Sequence, residues 1–100
     1  AVQNQSAEEI LNSAKMWEES RDYHKAIDRY LEITETMLDP NHLEEIWNNC
    51  FNLAMNYAKD RVQDVVLTLG QRMLAIQKFD SAAEIYEAVG YFEKAIEAYV

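Results

Sequence analysis

Asn48, Asn52 and Asn56 recur at intervals of four residues, with Asn49 beside them. On a helix that spacing sets the three amides along one face, where they offer hydrogen-bond donors and acceptors without charge. Asparagine is an indifferent helix former, and solvent is served as well by lysine or glutamate. The ladder therefore marks a candidate partner-binding strip that would pair with the backbone of an extended segment. A neutral solvated face is the simpler reading of the same residues. Other reactive side chains are poorly placed for chemistry. His24 and His42 have no acidic or cysteine neighbour at ligand spacing, which predicts surface or capping histidines and no metal. The members of Glu18-Glu19 and of Glu44-Glu45 point in different directions on a helix and make poor acid–base couples. Cys50 is the single cysteine, so it has no internal disulfide partner. Its place among Trp47, Phe51 and Ala54 reads as a buried small apolar residue. No glycine-rich phosphate loop, nucleophile elbow or zinc pattern occurs. The expectation is a chain with no catalytic residues, cofactor or metal, and not an enzyme.

The elements that would carry these residues are helices. Two glycines and one proline in 100 residues leave few helix breakers, and 49% of the residues are apolar, which sets the chain apart from disordered sequences. The formal charge of −9 disfavours nucleic acid and anionic membrane surfaces, both of which need basic patches. It suits a soluble, self-repelling surface or an acidic face that steers a basic partner. No apolar stretch reaches the roughly twenty residues needed to span a bilayer, and Ala1–Gln5 does not resemble a signal peptide. The absence of an initiating methionine and the stop at Ala98-Tyr99-Val100, inside an amphipathic pattern, suggest a fragment of a longer array.

Six helices are expected. Ser6 caps the first, which runs to about Ser20 with Ile10, Leu11, Ala14 and Trp17 inward. Asp22 caps the second, whose core face is Tyr23, Ala26, Ile27, Tyr30, Ile33 and Met37, before Asp39-Pro40-Asn41 ends it. The third spans about Leu43–Ala58 with Leu43, Ile46, Trp47, Cys50, Phe51, Ala54 and Tyr57 buried. Asp60 caps the fourth, which reaches about Gln77 and carries a second apolar stripe of Leu67 and Leu74. Asp80 and Ser81 cap a short fifth helix ending near Gly90, and Tyr91 opens the sixth. The division is one segment of three hairpins, about 6–38, 42–77 and 79–100.

Two regularities join these helices. An aromatic-x-x-Ala-x-x-x-Tyr pattern occurs at Tyr23/Ala26/Tyr30, Phe79/Ala82/Tyr86 and Phe92/Ala95/Tyr99. Small residues also pair at a spacing of twelve: Ala14 with Ala26, Gly70 with Ala82, and Ala83 with Ala95, each followed after three residues by Trp17, Met73 or Tyr86. Such pairs place small residues where successive antiparallel helices cross. Gly70 costs its helix about 1 kcal/mol against alanine, and a close approach of the Ala82 helix is the expected reason. The expected helix-packing residues are the paired small residues together with Trp17, Tyr30, Trp47, Tyr86 and Tyr99. Trp17 and Trp47 are also the residue type favoured at partner hot spots, although both lie on apolar stripes.

The paired small residues, with Asp22-Tyr23-His24-Lys25-Ala26-Ile27-Asp28-Arg29-Tyr30 as a near-consensus second helix, resemble the tetratricopeptide repeat family. Leu53-Ala54-x-x-Tyr57 matches a first helix, but its partner position is Val66, so the middle repeat is degenerate. The short trailing helices are similar to the irregular solenoids of propeller-plus-solenoid transport subunits, and most of all to the intraflagellar transport family that supplies the largest subunit of complex B. Ala14-Lys15-Met16-Trp17-Glu18-Glu19, the Tyr23–Tyr30 run and Ser81-Ala82-Ala83-Glu84-Ile85-Tyr86 carry that likeness. The resemblance implies an all-α solenoid scaffold acting by protein–protein interaction in cilium assembly. Its partners would be other subunits of a transport complex, and its place the cytoplasm, the cilium or flagellum, and the ciliary base. The alternatives are a tetratricopeptide peptide-binding adaptor and a vesicle-coat solenoid subunit. A clamp for a peptide carboxylate is disfavoured, because Leu11, Lys15, Glu18 and Glu19 occupy the groove positions and two acids repel a carboxylate. Uncovered Ile96, Tyr99 and Val100 predict self-association or fraying of the last helix.

Overall fold

A computed structural model describes residues 6–99, with Tyr99 described by its backbone alone. The expectations that rest on residues 1–5, on the Tyr99 side chain and on Val100 lie outside the described residues. Among the described residues six helices form: α1 (Ala7–Glu19), α2 (Tyr23–Leu31), α3 (Pro40–Tyr57), α4 (Val62–Ala75), α5 (Phe79–Ala88) and α6 (Phe92–Tyr99), with a 3-10 turn at Lys59–Arg61 before α4. Ser6 and Glu9 close a reciprocal capping box at α1, Asp22 caps α2 through the Lys25 N–H, and Asp39 caps α3 through the His42 N–H, with Pro40 in the first turn. Each supplies an acceptor to a backbone donor that the helix itself leaves unpaired.

The helices stack in two layers. On the first, Ser81 of α5 donates its hydroxyl to Glu44 of α3, and Lys78 donates to Asn41 at 2.7 Å. On the second, Arg61 beside α4 pairs with Asp28 of α2 at 2.9 Å, and Gln63 of α4 donates to the Tyr91 hydroxyl ahead of α6 at 2.6 Å. The apolar core runs between the layers, with Ile27, Leu43, Trp47, Leu69 and Met73 fully buried. The result is a slab of 39 × 29 × 19 Å, an all-α solenoid segment in which antiparallel neighbours cover one another's apolar faces.

The twelve-residue spacing has a backbone cause. The N–H groups of Asp22, Lys78 and Tyr91 donate to the carbonyls of Trp17, Met73 and Tyr86 at 2.9, 2.8 and 2.9 Å. The residue before each donor is left-handed: Arg21 at φ 64°, Gln77 at 63° and Gly90 at 82°. These are three Schellman turns, which satisfy the last carbonyls of one helix and aim the next one back. The donor residue then accepts from the alanine four residues on, Ala26, Ala82 or Ala95, each at 3.0 Å. Three residues from small to large, five across the turn and four into the next helix make up the spacing of twelve. The α3–α4 junction lacks this turn: Ala58 sits at φ −142° and leads into the 3-10 segment. That is why Ala54 meets no alanine at the same interval.

Two of the three left-handed positions carry side chains, at a cost of about 1–2 kcal/mol each. Arg21→Gly and Gln77→Gly should therefore each raise the unfolding free energy by about 0.5–1 kcal/mol after the entropy cost of the added glycine. Gly90→Ala should lower it. Urea melts of the three variants check this, and a destabilised Arg21→Gly would contradict the turn assignment.

Several expectations are corrected. Helix α2 ends at Leu31, not near Met37, because its last carbonyls are taken by side chains from other helices. Arg72 Nη1 donates to the Leu31 and Ile33 carbonyls at 2.6 and 3.1 Å, and Trp47 Nε1 donates to the Ile33 carbonyl at 3.3 Å. Helix α4 ends at Ala75, with Gln77 in the turn. Asp60 lies within the 3-10 turn and caps nothing, Arg61 preceding α4 without a side-chain cap. Lys78 precedes α5, and Ser81 is buried against Glu44 rather than capping. The leading aromatic of each motif is the first residue of its helix and lies outside the core: Phe79 and Phe92 are 46% and 63% exposed. Tyr57 is 59% exposed, not buried, and stacks flat on half-buried Tyr23 at 4.0 Å. Phe51 and Trp17 are half-buried, with the Lys25 ammonium 4.5 Å above the Trp17 ring. Gly70 does make room for a neighbour, but the occupant is the Tyr86 ring one turn beyond Ala82.

Candidate functional site

Helices α1 and α3 lie side by side with a groove of about 480 Å³ between them. Leu11, Ile46 and Tyr30 supply apolar surface to it, while Lys15 stands on the α1 wall and Glu45 on the α3 wall. Asn48, Asn49 and Asn52 line the α3 side. A smaller hollow of about 280 Å³ adjoins it, sharing Lys15, Tyr30 and Asn49 and adding Glu18 and Glu19. The Tyr30 hydroxyl donates to Glu18 Oε1 at 2.8 Å. Burial first, and then that carboxylate, raise the Tyr30 hydroxyl well above its ordinary range, while a hydrogen bond from Asn49 pulls the other way.

Of the amide ladder, Asn48 and Asn52 reach the groove and Asn56 does not. Asn48 is half-buried, and Asn52 and Asn56 are exposed. A helix turns about 100° per residue, so each step of four rotates the side chain by about 40°. Two steps carry Asn56 off the wall. The groove positions read from the sequence, Leu11, Lys15, Glu18 and Glu19, all line this surface. Glu45 and His42 were missed there. Glu45 stands three residues before Asn48, an interval that puts both on one face, so the spacing held that signal.

Elsewhere the arrangement offers little chemistry. His24 lies 3.4 Å from Asp60, both exposed. Among the described residues, no group of three or more His, Cys, Asp or Glu side chains converges to hold a metal, and no helix is long and apolar enough to cross a membrane. The expected packing residues Ala14, Ala26, Tyr30, Trp47, Gly70, Ala82, Ala83, Tyr86 and Ala95 are buried.

Cys50 is fully buried, and burial pushes its thiol up to about 12. Burial likewise raises Tyr86, with Glu97 adding to the effect. The unfolded chain releases these protons at lower pH than the native one, so stability is intact below about pH 8.5 and falls as pH rises toward 12. Thiol labelling at pH 8 should follow unfolding, because native Cys50 is neither ionised nor reachable. Labelling at the rate of a free thiol in the folded chain would contradict this placement.

The fold and the groove define an all-α class of protein, the α-solenoid segment, with a polar channel between neighbouring helices of one layer. The sequence comparisons point to a particular relative. The chain is 35% identical over 95 residues to intraflagellar transport protein 172 of Chlamydomonas reinhardtii, an alignment that takes in 94% of this chain and 5% of that protein. It is 28% identical over 98 residues to the Danio rerio homolog, covering 97% of the chain and 6% of the relative. The Homo sapiens homolog is 28% identical over 94 residues, covering 93% and 5%. The resemblance to the largest subunit of intraflagellar transport complex B thus extends along nearly the whole chain. The chain spans only 5–6% of the length of these relatives. No family model matches the sequence, and no solved structure matches it.

Proposed function

We propose that this chain is a scaffold segment of an intraflagellar transport subunit, acting without catalysis through contacts with other subunits of the transport complex during cilium assembly. Its place of action is the cytoplasm, the ciliary base, and the cilium or flagellum. The observation that carries this reading is the 35% identity to the Chlamydomonas relative across 94% of the chain. The structure is compatible with it: Schellman turns set the helix spacing, and polar and apolar surfaces stay open on both layers. Phe92 and Ile96, each 63% exposed, supply an apolar strip on α6 for a neighbouring helix or for self-association.

A chimera tests the proposal. This chain replaces the aligned segment of the Chlamydomonas relative, in cells that lack the native protein. The expected result is entry of the chimera into the transport complex and growth of flagella, while a protein lacking the segment supports neither. A chimera that accumulates stably but stays out of the complex would overturn the reading.

A further inference from the structure

We infer that the α1–α3 groove binds an extended, lysine- or arginine-bearing segment of a partner protein, its backbone held by Asn48 and Asn52 and its cations by Glu18, Glu19 and Glu45. The inference rests on the protein-interaction reading above and specifies the kind of partner.

Three observations carry it. The first is unused hydrogen-bonding capacity. Asn48 and Asn52 line the groove and have no hydrogen-bond partner among the described residues. Each amide can donate two hydrogen bonds and accept two. The second is spacing. One helical step of four residues advances about 6 Å, and two residues of an extended chain advance about 6.6–6.8 Å. Two amides at that interval can therefore meet successive backbone groups on the same edge of an extended segment. A helical partner turns its own backbone groups inward and presents no such edge. The third is charge. Glu18, Glu19 and Glu45 line the groove and its adjoining hollow against Lys15, within a chain of net charge −9. Glu18 also accepts a hydrogen bond from the Tyr30 hydroxyl at 2.8 Å. Such a channel repels an acidic segment and attracts a basic one, so charge selects the partner while the amides set its register.

Fluorescence anisotropy on the 100-residue chain tests this, with a labelled, end-blocked decapeptide of alternating lysine and serine as the probe. Its glutamate–serine counterpart is the control. The lysine peptide should bind and the glutamate peptide should not. Asn48→Ala combined with Asn52→Ala should weaken binding about tenfold, at unchanged helicity by circular dichroism. Asn56→Ala, outside the groove, should leave affinity unchanged. Glu45→Gln should reduce the dependence of affinity on salt. No binding of the lysine peptide, equal binding of both peptides, or an affinity indifferent to the Asn48/Asn52 pair would each overturn the inference. These results are read on the isolated chain. A failure here alongside a working chimera would reject the groove and leave the transport reading intact.

Discussion

Trp47→Ala should lower the unfolding free energy by about 4–5 kcal/mol, the upper part of the range for removing a buried tryptophan. The ring is fully buried between the layers, and its Nε1–H donates to the Ile33 carbonyl. Arg72 lies over the same ring, its guanidinium carbon 5.9 Å from the centroid, while its Nη1 serves the Leu31 and Ile33 carbonyls. Truncation would open a cavity and remove the surface on which Arg72 rests. The end of α2 would then lose the side chains that replace its missing helical partners. Domains of this size are commonly stable by about 5–15 kcal/mol, so the variant should be partly unfolded at room temperature. Trp47→Phe keeps most of the volume and loses the N–H donor, and should cost roughly 1–3 kcal/mol. Urea denaturation followed by circular dichroism measures both. A loss below about 1 kcal/mol for the alanine variant would show that Trp47 is not the tie between the first and second hairpins.

The second large effect changes sign with its neighbour. Gly70→Ala would gain about 1 kcal/mol of helix propensity on an open face. In this fold the added Cβ would sit 2.7 Å from Tyr86 Cε1 and closer still to Cζ and the hydroxyl. Tyr86 is only 3% exposed, so its ring cannot swing away without repacking α5. The expected result is a net loss of about 2–3 kcal/mol, typical of overpacking. In a Tyr86→Ala background the obstruction is gone. The same glycine substitution should there stabilise by about 1 kcal/mol. A double-mutant cycle reads both numbers. If Gly70→Ala destabilises equally in the two backgrounds, the cause lies elsewhere than the ring.

What was legible in the sequence follows from local chemistry. Scarce glycine and proline, caps at Ser6 and Asp22, and apolar spacings of three and four are properties of short stretches, and together they located the six helices of the described residues. The spacing of twelve survived into the structure because a Schellman turn has a constant residue count. Groove positions on α1 were readable for the same reason, since they are the face that α2 does not cover.

Features made by distant residues were not legible. Ile33 and Met37 continue the apolar period of α2, yet the helix stops at Leu31 because Arg72, some forty residues away in sequence, answers its carbonyls. Phe79 and Phe92 occupy the motif position of Tyr23, but a leading aromatic is sheltered only where a ring such as Tyr57 is folded against it. Asn56 belongs to the same ladder as Asn48 and Asn52, but the packing of α1 beside α3 places the groove over the first two only. The sequence by itself determined an all-α chain of paired helices, because helix formation and tight turns depend on neighbours within a few residues. Only the tertiary structure decided where α2 ends, what fills the space at Gly70 and which members of the amide ladder line a groove with Glu45. Each of those depends on groups that folding alone brings within a few ångströms.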